Sequence, residues 1–201
     1  MYIPNHFREE DKQKIVAFMQ QYNFGIVVNT KNGLPIATHL PFVIEERGDD
    51  VILTSHMAFA NEQWKYFDGS EVLIIFSEPH AYISPKFYEK KQNVPTWNFV
   101  AVHCYGIPKF VEGDEAMLQL LEKTILSFEA DYLNQFKELD EKYKMGSLHG
   151  IKGFEIVVNK IEGKYKLSQN KTEKERENII TAFEKTDDDN LRAIAELMKK
   201  K

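Results

Sequence analysis

The sequence predicts a mainly antiparallel β protein with peripheral helices. Several segments rich in β-branched and aromatic residues follow one another with tight turns and no helix between them. That order favours an antiparallel barrel or sandwich over a doubly wound parallel sheet, whose strands alternate with helices. The segments expected to form strands are residues 24–29, 36–44, 51–55, 72–76, 97–110 and 154–161.

Turn residues separate these segments. Asn32-Gly33 is the strongest hairpin signal in the chain, because a two-residue turn of this type needs positive φ at both positions. Gly48-Asp49-Asp50 and Glu162-Gly163-Lys164 predict two further turns.

Apolar residues at helical spacing predict helices around the sheet. Thr172 followed by Glu175 has the pattern of a capping box. The expected helices cover residues from about 9 to 22, from the N-cap Asp114 to about 132, from 172 to 183, and from the Asp187-Asp188-Asp189 run to 198, with a short one at 59–67. We expect one domain over residues 1–170 and a helical extension over 171–201, packed on the barrel or on a dimer partner.

Composition indicates an ordinary globular protein. The 201 residues are 43% hydrophobic and 28% charged, and no apolar run is long enough to span a membrane. The start, Met1-Tyr2-Ile3-Pro4, lacks the features of a secretory signal. Cys104 is the only cysteine, which excludes an intramolecular disulfide, so we expect a cytoplasmic protein.

Charge gives no support for nucleic-acid binding. The formal net charge is −5, whereas DNA-binding proteins take much of their affinity from lysine and arginine. The two C-terminal helices come closest to a helix-turn-helix, but the acidic run Asp187-Asp188-Asp189 between them would repel phosphates. DNA therefore stays a possible partner without a readable binding motif.

One polar segment suits an anion. Ser55-His56-Met57-Ala58 is expected where a strand turns toward a helix, so that N–H groups, a hydroxyl and an imidazole converge. Asn61 and Trp64 on the next helical turn would fold back over the same ligand. The alternative makes Ser55 a helix cap and Trp64 a core residue.

Other chemistries are less well supported. Histidines on neighbouring strands raise the question of a metal, but none has a recognised metal-binding spacing, and no metal is expected. Cys104 follows His103 on a strand, where neighbours face opposite sides, so it is predicted to be a small buried residue. No dinucleotide-binding or P-loop motif is present.

Several motifs in order along the chain resemble the PaiB family, described as FMN-binding negative transcriptional regulators. Phe59 and Phe99 stand where many relatives have other residues. The motifs are Met1-Tyr2-Ile3-Pro4, Pro35-Ile36-Ala37-Thr38-His39-Leu40-Pro41-Phe42, Ser55-His56-Met57-Ala58 with Ala60-Asn61 and Gln63-Trp64, His80-Ala81-Tyr82-Ile83-Ser84-Pro85, Val94-Pro95-Thr96-Trp97-Asn98-Phe99-Val100-Ala101-Val102-His103 and Lys166-Leu167-Ser168-Gln169-Asn170-Lys171.

The resemblance implies a split β-barrel that binds FMN in a cleft of a homodimer and represses degradative-enzyme and sporulation genes. Physical reasoning laid over it assigns residues to parts of FMN. Phosphate and ribityl contacts are expected from Ser55, His56, Ala58, Asn61 and Lys166, aromatic walls from Trp64, Tyr82 and Trp97, and hydrogen bonds to the ring from His39 and Asn98. Core packing is the alternative for Trp97 and Tyr82.

Two alternatives keep the fold and change the function. One is an FMN-dependent oxidoreductase, in which His80, Tyr82 and Ser84 are the candidate catalytic residues. The other is a haem-handling protein with the same barrel.

Overall fold

The strands are close to those expected, with two additions at residues 8–9 and 80–83, and the segment predicted at 36–44 is divided into two strands. We describe the protein from a computed structural model that covers residues 1–67 and 69–200; Lys201, the last residue of the predicted helical extension, lies outside the described residues. The strands are β1 (Arg8–Glu9), β2 (Phe24–Lys31), β3 (Leu34–Pro41), β4 (Val43–Arg47), β5 (Asp50–Ala58), β6 (Val72–Phe76), β7 (His80–Ile83), β8 (Thr96–Phe110) and β9 (Ile151–Lys166).

One helix follows the first strand, three lie between β8 and β9, and two follow β9. They are α1 (Lys12–Gln21), α2 (Asp114–Phe128), α3 (Tyr132–Glu138), α4 (Glu141–His149), α5 (Glu173–Glu184) and α6 (Asp189–Lys199). The predicted helix through residue 132 ends at Phe128, and α3 and α4 were not expected. None of the described helices is both long and apolar enough to cross a membrane.

The chain forms two structural units. Unit 1 comprises Met1–Ile15, Ser77–His103 and Glu162–Lys201, and unit 2 comprises Val16–Phe76 and Cys104–Ile161. The boundary predicted at residue 170 stays a prediction, and the structure groups α5 and α6 with the other segments of unit 1.

Unit 2 confirms the predicted antiparallel architecture. The strand order is β3-β2-β6-β8-β9-β5-β4, and β2/β3, β2/β6, β4/β5 and β5/β9 all pair antiparallel. Asn32 and Gly33 have φ values of 53° and 79°, which confirms the predicted tight hairpin. The core includes Phe42, whose ring meets Phe76 and Phe154 edge to face at 5.6 and 6.4 Å.

Unit 1 contains two short strand pairs and the last helices. β1 pairs with β9 through Glu9 and Gly163, so the turn predicted at Glu162-Gly163-Lys164 is wrong. A side chain at Gly163 would meet Ile15 at 3.0 Å and the Glu9 carbonyl at 3.1 Å. The glycine therefore permits close approach within a strand and does not reverse the chain.

The ends of α5 and α6 follow directly from their sequences. Thr172 and Glu175 form the predicted capping box at the start of α5. Asp188 caps α6 by accepting from the N–H groups of Asn190 and Leu191. In unit 1, α5 packs its Phe183 ring against Phe87 at 5.9 Å.

Among the glycines of unit 2 that the structure describes, Gly106 in β8 has the closest neighbouring atom. A methyl group there would lie 2.5 Å from the Val157 carbonyl oxygen and 2.6 Å from a methyl of Ile156. We expect Gly106→Ala to lower the free energy of unfolding by about 1–3 kcal/mol, because backbone must move to admit the methyl group. Urea denaturation measures the change.

Gly146→Ala is the matched control. Gly146 lies within α4, and a methyl group at this position would meet no neighbouring atom within 4 Å. This variant should be neutral or more stable by about 0.5–1 kcal/mol. Equal unfolding free energies in the two variants would contradict the close approach.

Candidate functional site

The segment after β5 is held by the side chain of Asn61. Its Oδ1 accepts from the Gln63 N–H at 3.0 Å and its Nδ2 donates to the Thr38 hydroxyl at 2.9 Å. The predicted helix over 59–67 is a five-residue 3₁₀ helix, Glu62–Tyr66, that Asn61 caps. So short a helix adds little dipole to an anion site.

Gln63 fixes this 3₁₀ helix to β2 and β3. Its buried amide donates to the Val27 carbonyl at 3.1 Å and to the Asn29 side chain at 2.9 Å, while its oxygen accepts from Thr38. All partners are buried or partly buried, so each bond replaces a contact with water. No role was predicted for Gln63 or Thr38, although both lie in motifs that carry the resemblance.

Ser55 and His56 lie on β5 itself. The Ser55 hydroxyl is buried and donates to the Pro41 carbonyl at 2.6 Å, so it does not cap a helix. His56 is half-buried, and burial lowers the pKa of its imidazole. Ala58, the last residue of the strand, is exposed.

Trp64 lies over the turn between β5 and the 3₁₀ helix. Its indole N–H donates to the Phe59 carbonyl at 3.0 Å, and its ring meets those of Phe59 and Phe110 at 5.3 and 6.0 Å. The ammonium groups of Lys65 and Lys152 lie 5.8 and 5.9 Å from the indole. Trp64 is half-buried, so it is not a fully buried core residue. Both lysines are ion-paired, Lys65 with Glu62 and Lys152 with Glu112.

His39 lies apart from this group. It is exposed on β3, next to Thr38, and its ring stacks on that of Phe24 at 6.3 Å. Because neighbours on a strand point to opposite faces, His39 does not share the face on which Thr38 meets Asn61.

Unit 1 carries an exposed aromatic group on β7 and β8. Tyr82 and Trp97 are paired across the strands and are 49% and 51% exposed. The Trp97 ring lies 5.9 Å from Tyr82 and 5.8 Å from His80. Ser84 is used as a cap, since its hydroxyl accepts from the Lys86 N–H at 3.3 Å. Of the three candidate catalytic residues, only His80 and Tyr82 belong to this group.

Asn98 faces the other way. It is fully buried, its amide oxygen accepts from Ser168 at 3.0 Å, and its nitrogen reaches the Met198 sulfur at 3.5 Å. Lys166 donates to the Thr96 hydroxyl and, at 2.5 Å, to the Trp97 carbonyl. Because neighbouring residues on a strand point to opposite faces, Trp97 points outward from β8 and Asn98 points inward.

Cys104 is a buried residue, as predicted. Its thiol is fully enclosed and donates to the Met19 sulfur at 3.4 Å, and burial raises its pKa to about 12. Within residues 1–67 and 69–200, no three His, Cys, Asp or Glu side chains group as metal ligands.

Known proteins resemble this chain in sequence and in fold. Residues 1–160 match the family model described as “Putative FMN-binding domain”. The protease synthase and sporulation protein PAI 2 of Bacillus subtilis (strain 168) is 41% identical over 205 residues, which cover 100% of this chain and 98% of that protein. The full-length match confirms the resemblance found in the sequence motifs.

Two solved structures share the fold at low sequence identity. The flavocytochrome Anf3 of Azotobacter vinelandii has a TM-score of 0.63 at 14% identity, covering 82% of this chain and 72% of that one. The FAD and haem binding protein of Mycobacterium smegmatis has a TM-score of 0.62 at 10% identity, covering 80% and 73%. The likeness confirms the predicted split-barrel fold.

His56 provides a test of the site by pH. Because burial disfavours the charged imidazole, its pKa in the flavin-free protein should lie below the value of about 6.5 for an exposed histidine. The neutral form then contributes stability above pH 6.5 or so, and this stability is lost as the pH falls through the lowered pKa. NMR titration of the His56 ring protons measures the pKa, and a value above that of the urea-unfolded chain would contradict the buried environment.

Proposed function

Because this chain belongs to the FMN-binding domain family that its residues 1–160 match, we propose that it binds FMN and acts as a negative regulator of transcription. The full-length similarity to a relative named for protease synthesis and sporulation carries the regulatory part of the proposal. We infer that the regulated genes encode degradative enzymes and sporulation proteins.

In unit 2, the residues around the end of β5 fit a phosphorylated ligand. His56 and the Asn61 amide supply hydrogen-bond donors, and Ala58 is exposed at the end of the strand. The ammonium groups of Lys65 and Lys152 lie near Trp64 and are ion-paired with Glu62 and Glu112, so a phosphate would compete with these carboxylates. Phosphate groups are bound by such combinations of donors and cations.

In unit 1, Tyr82 and Trp97 fit a planar heterocycle. Both rings are half-exposed, whereas aromatic side chains of this size are usually more buried. A flavin ring stacks favourably on such faces. The predicted contacts of His39, Asn98 and Lys166 stay predictions, and the burial of Asn98 makes it the least accessible of the three.

We also propose that the protein is a homodimer. Phe24 is 62% exposed, and Ile107 on β8 and Val157 on β9 are exposed apolar side chains in the same unit. Exposed apolar side chains of this kind often mark a surface that a partner covers. Light scattering during size-exclusion chromatography should give twice the mass of one chain.

FMN affinities of single variants test the residues of unit 2 and those of unit 1 separately. We expect His56→Ala to weaken FMN binding about tenfold or more, the effect of losing one hydrogen bond to a charged group. Trp97→Ala should weaken it several-fold through lost stacking, worth about 1 kcal/mol. Quenching of flavin fluorescence measures the affinity, and the absorption spectrum distinguishes flavin from haem.

Exposed residues of the same types are the controls. His149→Ala on α4 and Tyr143→Ala on the same helix should bind FMN as wild type does. The FMN proposal is wrong if the wild-type protein neither quenches the flavin nor gains thermal stability from it. Wild-type affinity in His56→Ala would remove that residue from the site.

Deletion of the gene tests the regulatory role. Transcripts of secreted-protease genes should rise in the deletion strain and fall again when the wild-type gene is restored. The acidic first turn of α6, where Asp188 caps the helix and Arg192 is paired with Asp189, makes this helix unsuited to DNA. Unchanged transcripts in the deletion strain would contradict the proposal.

A gel shift separates direct from indirect repression. We expect no sequence-preferring complex between the purified protein and a random duplex library at physiological salt. A specific complex lost in a salt series would show that another surface of the protein binds DNA directly.

A further inference from the structure

Unit 1 contains a small cavity, and two of its lining residues, Asn98 and Lys166, are also predicted FMN contacts. Its volume is about 200 Å³, and it lies between the start of β8, the end of β9 and the segments that follow β7 and β9. Its polar lining includes Tyr88, Thr96, Asn98, Lys166, Ser168 and Lys171. Pockets for ligands of the size of a drug or cofactor occupy about 300–1,000 Å³, so this one suits a much smaller molecule.

Two lysine ammonium groups reach the cavity without carboxylate partners. Lys166 donates to Thr96 and to the Trp97 carbonyl, and Lys171 donates to the Asn93 side chain at 2.8 Å. Neither lysine forms an ion pair within the described part of the chain. Burial and the neighbouring Lys164 lower the pKa of Lys166, as expected where positive charge is not compensated.

Tyr88 supplies an independent observation. The residue is only 8% exposed, and its hydroxyl is buried without a hydrogen-bond partner among the described residues. Burial and the nearby Glu175 raise the pKa of this phenol, so it keeps its proton and remains a donor. Its ring lies 3.8 Å from the Lys171 ammonium. A buried hydroxyl donor normally has a hydrogen-bond acceptor, and the neighbouring ammonium group favours an acceptor with negative charge.

The rest of the wall is preorganised. Ser168 has a φ of 62°, in the left-handed region, and its hydroxyl donates to the buried Asn98 at 3.0 Å. Gln169 braces this segment by accepting from the Leu167 N–H at 2.7 Å and donating to the Tyr165 carbonyl at 2.5 Å. The bond from the Asn98 nitrogen goes to a thioether, which is a weak acceptor.

The carboxylate of Glu175 acts on Tyr88 electrostatically but does not line the cavity. Glu175 accepts from the backbone N–H of Glu89 at 3.1 Å and from that of Thr172 at 3.4 Å. Its oxygens are therefore occupied by backbone donors. Donors and positive charge face the cavity, and no acidic side chain lines it.

We propose that this cavity binds a small free oxyanion, a phosphate or a carboxylate of similar size, in addition to FMN. The Tyr88 hydroxyl and the ammonium groups of Lys166 and Lys171 are the donors that recognise it. Lys171 directly precedes Thr172, the N-cap of α5, so the anion would also fasten the start of α5 to β8.

Isothermal titration of the full-length protein with inorganic phosphate tests the proposal at constant ionic strength set with chloride. We expect saturable binding that is weakened about tenfold in Lys171→Gln and several-fold in Tyr88→Phe. Lys174→Gln is the matched control, because Lys174 is exposed, pairs with Glu89 and does not line the cavity. Circular dichroism without phosphate verifies that each variant is folded.

The same titration is repeated on FMN-saturated protein. Phosphate binding that persists in FMN-saturated protein supports a separate site. If the protein binds phosphate but not FMN, the phosphate proposal holds and the FMN proposal fails. Competition between FMN and phosphate would overturn it, because the cavity would then hold the phosphate of the flavin. Absence of saturable binding, or wild-type affinity in Lys171→Gln, would also overturn it.

Discussion

The buried amide of Gln63 is the contact on which the candidate site of unit 2 depends. It joins β2, through Val27 and Asn29, to Thr38 on β3. The backbone N–H of Gln63 in turn meets Asn61, which bonds to the same Thr38. A buried amide with every bond made is rigid, whereas one with a missing partner is costly. The position of the segment between Ala58 and Trp64 follows from this network.

The alternation of side chains along β8 gives the two faces of this strand in unit 1 different surroundings. On β8, Trp97 faces outward beside Tyr82, and Asn98 faces the interior beside Ser168. The two faces therefore differ in chemistry: one presents half-exposed aromatic rings and the other closes a polar cavity. A single strand separates a surface suited to a planar ring from an enclosure suited to a small anion.

Much of the fold could be predicted because its signals are local. The Asn32-Gly33 hairpin and the Thr172–Glu175 capping box depend on a few adjacent residues, and both form as expected. The Gly163 turn failed because a glycine also permits close packing, and only the contact with Glu9 and Ile15 separates the two uses. The helix α4 was missed because its buried residues, Lys144 and Leu148, form no apolar stripe.

The candidate site was predicted less completely, for a related reason. Sequence motifs mark segments and not faces, because the burial of Asn98 and the exposure of Trp97 depend on which face of β8 is covered. Ser55 shows the same limit, since its hydroxyl is occupied by a carbonyl from a distant strand. The unpartnered hydroxyl of Tyr88 has no sequence signal, because it arises from tertiary packing alone.

The thiol of Cys104 gives access to the dynamics of unit 2. Alkylating reagents attack the thiolate, and an enclosed thiol with a pKa of about 12 offers almost none at neutral pH. Labelling then requires local unfolding that exposes the interior around Met19. Since the sequence contains one cysteine, the rate of labelling reports the opening of a single known location without any engineered probe.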